Sequence, residues 1–409
     1  MKVVFLTLSR ISHIEDRGIY SDLMRKFRNE GHEVYIVSPC ERRLGLNTSM
    51  TEDQGVRILN VKTFNVQKTN IIEKGLGTLL IEWQFLLAIK KYLQGVNFDL
   101  ILYSTPPITF TNVVKYLKKR NPEAVSYLLL KDIFPQNAVD IGMFSKRSIF
   151  YRYFRKKEEA LYNASDYIGC MSPANVEYLR SHNPYYQHWR IEEAPNSIEL
   201  NMKHETLNYN RNSIREKYGL PVDKLIFIYG GNLGKPQGID YLIKCLDDNK
   251  YRNDCFFVIV GSGTEYHRLE AWLDEQEHVK DDTRSLSVKL IKGLPKEDYD
   301  QLVQSCDVGL IFLDYRFTIP NYPSRLLSYL ENKMPIICAT DVNTDIGKIA
   351  EQNGYGYWCQ SINPLDFSIL VNHFLAEPER IKTMGEKGYE YLKKNYLVDN
   401  TYQTIMKHL

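Results

Sequence analysis

Apolar and polar positions along the chain follow two patterns, one typical of buried strands and the other typical of helices. Residues 2–8 form a short apolar run, a helical pattern extends from about Ile19 to Glu30, and GHEVYIVSP at 31–39 forms the next apolar run. A strand, a helix and a second strand in this order indicate a βαβ unit and therefore a parallel sheet. Further strands are predicted at 98–107, at 124–135 and from residue 166, where Ser172 and Pro173 then mark a helix start.

The second half of the chain repeats this plan. The stretch IFIYGGNLGKPQGIDYLIKCL, residues 226–246, combines an apolar run, a glycine-rich turn and the start of a helical pattern. Later strands are predicted within 255–273 and 287–306, at 307–314 and at 334–340, with helices from about residue 378 onward. We therefore expect an α/β fold with two Rossmann-like domains, 1–195 and 196–385, and a helical tail, 386–409, that packs back toward the N-terminal domain.

The glycine-rich turn after residue 229 is suited to binding an anion. Gly230, Gly231, Gly234 and Gly238 lie between a predicted strand and a predicted helix. Backbone N–H groups at a helix start lack internal partners, and glycines let a phosphate approach them closely. An ordinary glycine-rich turn of an α/β protein is the alternative interpretation.

A second candidate for anion binding lies in IPNYPSRLLSYLENKMP, residues 319–335. The pattern predicts a helix that starts at Pro323, with Ser324 and Arg325 in its first turn. A positive side chain is unfavourable there because the helix macrodipole is positive at the same end. The position of Arg325 is explained if it helps to hold a diphosphate, whereas an ordinary surface arginine is the alternative.

Polar residues also follow two strands of the first half, at the edge where open α/β sheets bind ligands. The candidates for contact with a substrate are His13, Asp16 and Arg17 after the first strand, and Lys131 and Asp132 after a later one. For His13, a place in a solvated loop is the favoured interpretation.

Composition restricts the class of protein. A chain of 409 residues with 44% hydrophobic residues can bury two cores, and its seven cysteines form no CxxC pair, which argues against a disulfide framework or a zinc site. The N-terminus does not resemble a signal peptide and no long uncharged apolar run occurs, so we expect a cytoplasmic protein. Residues 1–190 hold 27 Lys and Arg against 18 Asp and Glu, a net charge of +9. This half either meets an anionic partner or is simply a basic surface, and no nucleic-acid-binding motif accompanies the charge.

Two segments of the first half combine apolar residues with cations. The apolar stripe in residues 76–93 is wider than one buried face requires. That helix is either deeply packed, which is the favoured interpretation, or touches a membrane surface on one side. Residues 144–157, FSKRSIFYRYFRKK, interleave six cations with five aromatic residues. They either lie at the headgroup level of an anionic membrane or form a buried helix with snorkelling cations.

An ordered set of motifs extends over nearly the whole chain. The motifs are GHEVYIVSP, APNSIEL, GNLGKPQGID, GSGTE, GLPKEDYDQLVQSCDVGLIFL and PSRLLSYLENKMPII. Taken in this order, the set resembles the family 4 glycosyltransferases of the GT-B fold. The segments KDIFPQNAVDIGMF and KKEEALYNASDYIGCMSPANVEYL are most similar to the bacterial subgroup that builds capsule and O-antigen repeat units.

The resemblance implies that the two domains face each other across a cleft, with a nucleotide sugar on the C-terminal domain and the acceptor on the N-terminal one. The family transfers hexoses with retention of anomeric configuration and generally needs no divalent metal, so cations and N–H dipoles must stabilise the departing diphosphate. We expect no metal site and no cofactor besides the nucleotide sugar. The catalytic candidates are Asp132, Arg325 and Lys235. The donor-binding candidates are Gly18, Gly230, Gly231, Asn232, Gln237, Gly238, Gly261, Gly263, Leu294, Pro323, Ser324 and Ser328.

The sequence departs from the family pattern in the donor half. The family usually has an Arg directly after the glycine of this first loop and a Lys before the loop's last glycine, and those positions are Asn232 and Gln237 here. Lys235 and Arg325 are the nearby cations that can substitute for them. The family's pair of glutamates falls on Pro320 and Ser328, and Ser328 can bind a ribose hydroxyl only as a neutral partner.

The N-terminal half departs from the pattern as well. Where many members place a His before an Asp, this chain has Lys131 before Asp132, so analogy does not supply a catalytic His. Asp132 is the candidate for acceptor contact, and Gly18 is the candidate for close backbone approach to the sugar nucleotide.

These patterns lead to one main hypothesis and two alternatives. We expect a cytoplasmic glycosyltransferase, peripheral to the inner face of the cell membrane, that moves a sugar such as an N-acetylhexosamine from a UDP-sugar to a polyprenyl-diphosphate-linked acceptor. A nucleotide-sugar 2-epimerase shares the fold but would be expected to carry carboxylates and a His for acid–base steps. A non-catalytic member of a polysaccharide assembly complex is the third possibility, because the two glutamates are lost.

Overall fold

Two sheets organise the chain, one in each of its two units. A computed structural model describes residues 1–65, 71–186, 190–200, 210–278 and 285–409, without the side chains of 71–76. The first unit consists of residues 1–199 and 396–409, and the second consists of residues 200–395. The boundaries drawn from the sequence, after residues 195 and 385, fall somewhat earlier than these.

The first unit is built on an eight-stranded sheet with the strand order β3-β4-β2-β1-β5-β6-β7-β8. All neighbouring strands are parallel except β3 and β4, which pair antiparallel. The strands are β1 (Lys2–Leu6), β2 (Glu33–Glu41), β3 (Ser49–Asp53), β4 (Val56–Thr63), β5 (Leu100–Ser104), β6 (Val125–Leu130), β7 (Tyr167–Cys170) and β8 (Ile191–Glu193). The helices that connect them are α1 (Ile19–Asn29), α2 (Ile71–Tyr92), α3 (Thr111–Arg120), α4 (Gln136–Asp140), α5 (Ile149–Asn163) and α6 (Pro173–His182).

Local sequence explains where these helices start and stop. Ser172 caps α6 by accepting a hydrogen bond from the backbone N–H of Asn175, and Pro173 occupies the first helical position, so the predicted helix start is confirmed. The chain leaves α1 through Gly31, whose φ of 83° is readily adopted only by glycine. Buried strand residues such as Phe5 and Leu102 pack with Phe27 of α1 into the core of this unit.

The outer side of α2 contradicts the favoured interpretation of this helix as deeply packed. Ile81, Phe85 and Ile89 are buried, but Trp83 and Leu87 are exposed. Ile81, Phe85 and Ile89, which widen the stripe, are thus part of the core, and it is another part of the stripe that lies on the surface.

The second unit is built on a six-stranded parallel sheet with the strand order β11-β10-β9-β12-β13-β14. Its strands are β9 (Leu225–Asn232), β10 (Cys255–Ser262), β11 (Val288–Lys292), β12 (Val308–Phe312), β13 (Ile336–Thr340) and β14 (Gly356–Gln360). Its helices are α7 (Arg211–Lys217), α8 (Ile239–Asn249), α9 (Tyr266–His278), α10 (Lys296–Gln304), α11 (Arg325–Glu331), α12 (Ile346–Gln352), α13 (Pro364–Ala376) and α14 (Arg380–Asn395). Aromatic side chains such as Phe227, Phe257 and Phe374 fill the core between the sheet and its helices.

The last helix, α15 (Val398–Met406), returns to the first unit. Tyr402 packs edge-on against Phe27 of α1, with ring centroids 4.9 Å apart, and its hydroxyl lies 2.9 Å from Nε2 of His32. Beyond the helix, the ring of His408 stacks on Tyr167 of β7 at 3.7 Å. The end of the chain thus belongs to the core of the first unit.

Candidate active site

The sheet of the second unit has a topological switch point between β9 and β12. The chain proceeds from β9 toward β11 on one side, and β12 then pairs with the other edge of β9. In open α/β sheets, ligands bind in the crevice that such a reversal opens at the carboxyl ends of the strands. The glycine-rich turn lies at the end of β9, and Arg325 begins α11 directly after the loop that follows β12, so both predicted anion-binding segments lie at this point of the sheet.

The turn after β9 is closed by neutral side chains. The amide Oε1 of Gln237 accepts hydrogen bonds from Nδ2 of Asn232 and from the backbone N–H of Gly234, each at 3.2 Å. Gly238 starts α8 with a φ of 59°, a left-handed conformation that glycine adopts without strain. The residues that replace the family's two cations therefore hold the loop in shape and give it no positive charge.

At three of the predicted donor-binding glycines, other residues of the protein occupy the space that a side chain would need. A Cβ on Gly230 would overlap the hydroxyl of Tyr299, and a Cβ on Gly261 would overlap the carbonyl oxygen of Gly231. A Cβ on Gly263 would overlap the backbone of Leu233. Close packing of these loops is enough to require glycine at the three positions, and their contact with a donor stays a prediction.

Arg325 occupies an aromatic environment at the switch point. Its guanidinium carbon lies 4.2 Å from the centre of the Tyr229 ring, a cation–π contact. Its Nη2 atom lies beside Gly231, 3.4 Å from where a Cβ would be, which is an ordinary van der Waals contact; the positive φ of 132° is what favours glycine at this position. Nη1 is buried without a hydrogen-bond partner. Among the described residues no carboxylate forms an ion pair with Arg325, so none of them balances its charge.

The aromatic residues around Arg325 were not predicted from the sequence. The hydroxyl of Tyr329 donates to the carbonyl of Ile228, 3.1 Å away, and accepts from the backbone N–H of Gly230, also at 3.1 Å. Tyr329 follows Arg325 by four residues on α11, so helical spacing places both on one face and could have drawn attention to this pair. Nothing in the sequence pattern marks Tyr229, which closes its own turn by donating to the carbonyl of Asn232 at 2.7 Å.

The remaining donor-site candidates take ordinary positions. Pro323 and Ser324 precede α11, and the side chain of Ser324 makes no capping hydrogen bond. Ser328 is half-buried, three residues after Arg325 on the same helix. Lys235 is exposed in the short 3₁₀ turn before Gly238 and forms no ion pair within the described part of the chain. Leu294 is half-buried after β11, away from any hydrogen bond that would assign it a role.

The first unit has its own switch point, between β1 and β5, where the loop of residues 7–18 lies. A buried network fixes this loop: Arg25 donates to the carbonyl of Ile14 at 2.6 Å and pairs with Asp22 and Glu199 at 2.7 and 2.6 Å. The Asp22 carboxylate in turn accepts from the backbone N–H of Gly18 at 3.0 Å. The start of α1 is therefore held in place by side chains of its own unit.

The acceptor-side candidates in this loop lie in different environments. His13 and Asp16 are exposed, which agrees with the solvated-loop interpretation of His13. Arg17 donates through Nη2 to the carbonyl of Glu199 at 3.0 Å, so part of its hydrogen-bonding capacity is used within the protein. Gly18 has an extended φ of 176°, which any residue can adopt, so its glycine is not required by backbone conformation.

Lys131 and Asp132 follow β6 and have perturbed pKa values. Burial lowers the pKa of Lys131 to about 7, and its Nζ donates to the carbonyl of Ala194 at 2.8 Å. Burial raises the pKa of Asp132 to about 6, although the hydrogen bond that Nδ2 of Asn137 donates at 2.7 Å opposes this change. Thr105 Oγ1 accepts from the backbone N–H of Lys131 at 2.9 Å, which ties this turn to the neighbouring strand end. Asp132 can therefore exchange a proton near neutral pH, whereas Lys131 is directed toward the segment after β8.

Within the described ranges, no cluster of His, Cys, Asp and Glu is arranged to hold a metal ion. None of the helices described there is long and apolar enough to cross a bilayer.

The fold class follows from likeness to solved structures. The chain aligns with sucrose-phosphate synthase of Thermosynechococcus elongatus with a TM-score of 0.76 and 15% identity, over 99% of this chain and 97% of the other. It aligns with Anabaena Alr3699/HepE in complex with UDP with a TM-score of 0.68 and 13% identity, over 100% and 99% of the two chains. Two parallel-sheet α/β domains of this kind define the GT-B fold, so the predicted fold class is confirmed.

The family follows from comparison of sequences. Residues 210–391 match the family model described as glycosyl transferases group 1. The probable glycosyltransferase WbjE of Pseudomonas aeruginosa is 22% identical over 339 residues, which cover 80% of this chain and 78% of that protein. WcaI of Escherichia coli (strain K12), named as a colanic acid biosynthesis glycosyl transferase, is 24% identical over 161 residues, 38% of this chain and 37% of that protein. The chain therefore has the GT-B fold, its residues 210–391 match the group 1 glycosyl transferases, and these matches together support a transferase.

Proposed function

We propose that this glycosyltransferase moves a sugar from a UDP-sugar to a lipid-diphosphate-linked acceptor, with retention of anomeric configuration and without a metal ion. The observation that carries the proposal is the position of Arg325. Its guanidinium lies against Tyr229 at the switch point of the second sheet, with no carboxylate partner among the described residues. A diphosphate bound there would supply the missing negative charge and the missing hydrogen-bond acceptors.

Two cations of this chain can replace the positive charges that the family usually has in its donor site. Asn232 and Gln237 are neutral and bonded to each other, so Arg325 and the exposed Lys235 remain as the positive side chains near the turn. A uridine nucleotide is the natural candidate because a structural neighbour, Alr3699/HepE, is described in complex with UDP. Ser328, on the same helix as Arg325, is the candidate partner for a ribose hydroxyl.

The reaction itself needs charge stabilisation and one proton transfer. The bond between the anomeric carbon and the diphosphate oxygen breaks, and the acceptor hydroxyl oxygen forms a new bond on the same face of the sugar. The hydroxyl proton passes to the departing phosphate oxygen, so the diphosphate leaves with its charge partly neutralised. Arg325 and Lys235 stabilise the rest of that charge. Above its pKa of about 6, Asp132 is a carboxylate that can orient the acceptor hydroxyl.

The acceptor side of the proposal rests on charge and on relatives. Residues 1–190 carry a net charge of +9, from 27 Lys and Arg against 18 Asp and Glu. A basic half suits an acceptor whose diphosphate is anchored in an anionic membrane. The relative WcaI is named for colanic acid biosynthesis, which supports a surface polysaccharide such as capsule or O-antigen as the product. We accordingly propose that the protein acts at the inner face of the membrane as a peripheral enzyme.

Two measurements on the full chain test this function. A panel of UDP- and GDP-sugars is screened for thermal stabilisation, because a bound donor raises apparent stability by mass action. Stabilisation by a UDP-sugar and not by its GDP counterpart is expected. The selected donor, labelled in its sugar, is then incubated with a polyprenyl-diphosphate-linked sugar. Transfer of label to the lipid supports the proposal, whereas a change of configuration at C2 of the free nucleotide sugar indicates the epimerase, and stabilisation without turnover indicates a binding protein.

A further inference from the structure

Large exposed apolar side chains are concentrated on two helices of the first unit. Ile149 is 82% exposed and Phe150 is 68% exposed at the start of α5, and Trp83 is 59% exposed in the middle of α2. Leu87 on α2 and Tyr153 on α5 are also exposed. Soluble proteins seldom expose this many large apolar residues together unless the surface binds something.

The helical spacing shows that each set forms one outer side. On α2, Trp83 and Leu87 are four residues apart, while Ile81, Phe85 and Ile89 face the core. On α5, Ile149 and Tyr153 are likewise four residues apart, and the buried residues of that helix lie toward its other side. The apolar outer sides are therefore additional to the faces that stabilise the fold.

The two helices are neighbours in the first unit. Glu82 of α2 pairs with Lys157 of α5, with Nζ and Oε2 3.7 Å apart. Trp83 adjoins Glu82 in the chain, and the Nζ of Lys157 lies 5.9 Å from the centre of the Tyr153 ring. Helix α3 packs against both α2 and α5. Because the ion pair and α3 hold the two helices together, we treat their exposed residues as one surface, which we name the α2–α5 face.

Several cations of residues 146–156 accompany this surface without acidic partners among the described residues. Arg155 and Lys157 are used in ion pairs with acidic side chains of α5 and α2. The exposed cations of the segment form no ion pair within the described part of the chain, and they are Lys146, Arg147, Arg152 and Lys156. Four uncompensated cations beside exposed aromatic and aliphatic residues match the headgroup and acyl layers of an anionic membrane.

We propose that the α2–α5 face is the surface by which the protein binds an anionic lipid bilayer. Trp83, Ile149 and Phe150 enter the boundary between headgroups and acyl chains, and the four cations contact lipid phosphates. This inference deepens the proposed function, because a lipid-linked acceptor has to be reached at a membrane, but it specifies the residues that make the contact. It also assigns a role to the outer side of α2, which the core does not use.

Binding to vesicles tests the inference in the absence of donor and acceptor. The full chain is mixed with vesicles of phosphatidylcholine alone or with added phosphatidylglycerol, at low and at high salt. We expect binding only with the anionic lipid, weakened by salt. Two double variants, Ile149→Ser with Phe150→Ser and Arg152→Glu with Lys156→Glu, should each weaken binding by about tenfold or more. The matched controls Ile369→Ser and Lys244→Glu change exposed residues of the second unit and should leave binding within about twofold.

A second readout places Trp83 at the membrane directly. Lipids with brominated acyl chains quench tryptophan that reaches the acyl layer, so bound protein should lose fluorescence that Trp83→Phe lacks. Three results would each overturn the proposal. They are no binding to anionic vesicles, equal binding by the variants of the α2–α5 face and the control variants, and no quenching that depends on Trp83. Failure of sugar transfer with vesicle binding intact would reject the proposed function alone, because the vesicle assay contains no substrate.

Discussion

The guanidinium of Arg325 lies 4.2 Å from the centre of the Tyr229 ring, while its Nη1 is buried without a hydrogen-bond partner. An arginine held in this way costs the folded protein stability, because a buried donor is left unsatisfied. The arrangement becomes favourable when an anion enters, since an ionised acceptor then meets a guanidinium that is already in place. This relationship leads to predictions that separate catalysis from stability.

Replacing Arg325 by alanine should reduce turnover by about 100-fold, the usual cost of losing one charge-stabilising donor. The melting temperature of the free protein should not fall, since the side chain forms no ion pair within the described residues and its buried Nη1 lacks a hydrogen-bond partner. Steady-state kinetics and thermal unfolding measure the two effects. Arg380→Ala, which removes an exposed arginine paired with Glu377, is the control and should leave turnover unchanged. Equal turnover in both variants would remove Arg325 from the donor site.

A cation introduced at position 237 should partly rescue the variant that lacks Arg325. Gln237→Lys places a positive charge in the turn after β9, at the family's usual position, and should restore about tenfold of the lost turnover. Gln237→Met loses the same hydrogen bonds to Asn232 and Gly234 but adds no charge. If the methionine variant rescued as well as the lysine variant, charge would not be the reason.

Gly261→Ala should destabilise the second unit by about 2 kcal/mol or more, because overpacking forces the backbone to move. The added Cβ would overlap the carbonyl oxygen of Gly231 on the neighbouring strand. Gly293→Ala is the matched control, since its Cβ would meet no atom closer than 3.7 Å. Denaturant unfolding of both variants tests this, and similar stabilities would contradict the packing explanation.

Lys131→Met should stabilise the protein most below pH 7, and this stabilisation should shrink as the pH rises from about 7 toward 10.5. In the folded chain the pKa of Lys131 is lowered by burial from 10.5 to about 7, so between these values the unfolded chain binds the extra proton. The wild-type protein therefore gains stability as the pH rises through this window, and the methionine variant lacks that gain. Urea unfolding at a series of pH values measures it. Lys119→Met, on the exposed side of α3, should change stability little throughout.

The acidic limb of the pH–rate profile should report Asp132. Its pKa is raised by burial from 3.8 to about 6, so lowering the pH through 6 converts the carboxylate to the neutral acid. If the carboxylate orients the acceptor hydroxyl, turnover falls along this limb and Asp132→Asn removes the limb together with most activity. An unchanged profile in Asp132→Asn would assign the limb to another group. Far-ultraviolet circular dichroism of the variant checks that the fold is retained.

Periodicity was sufficient to predict the parallel sheets because their central strands are continuous apolar runs. The strands β3, β4 and β14 were not predicted, since they lie toward sheet edges and lack the continuous burial of the central strands. An edge strand depends on pairing with a distant neighbour, and that information is not contained in its own pattern. The wide apolar stripe of α2 was visible in the sequence, but whether its outer side met protein or solvent depended on the placement of α3 and α5.

The candidate site was predictable in position more than in detail. Glycines after β9 and an arginine at the start of α11 indicated where an anion could bind. Whether a glycine makes room for a ligand or for the protein depends on neighbours such as Tyr299 and Leu233. Each occupies the space that a Cβ of a glycine distant in the chain would need. The partners of Arg325 and the burial of Asp132 are likewise properties of the folded arrangement.

The return of α15 to the first unit has a consequence for synthesis on the ribosome. Residues 1–199 emerge before the second unit, but Phe27 and Tyr167 remain without their partners Tyr402 and His408 until those residues have been made as well. The second unit is contiguous and can complete its fold as it emerges, because domains generally fold as units during synthesis. The order of completion is therefore reversed relative to the order of the chain, and the first unit to be translated is the last to be finished.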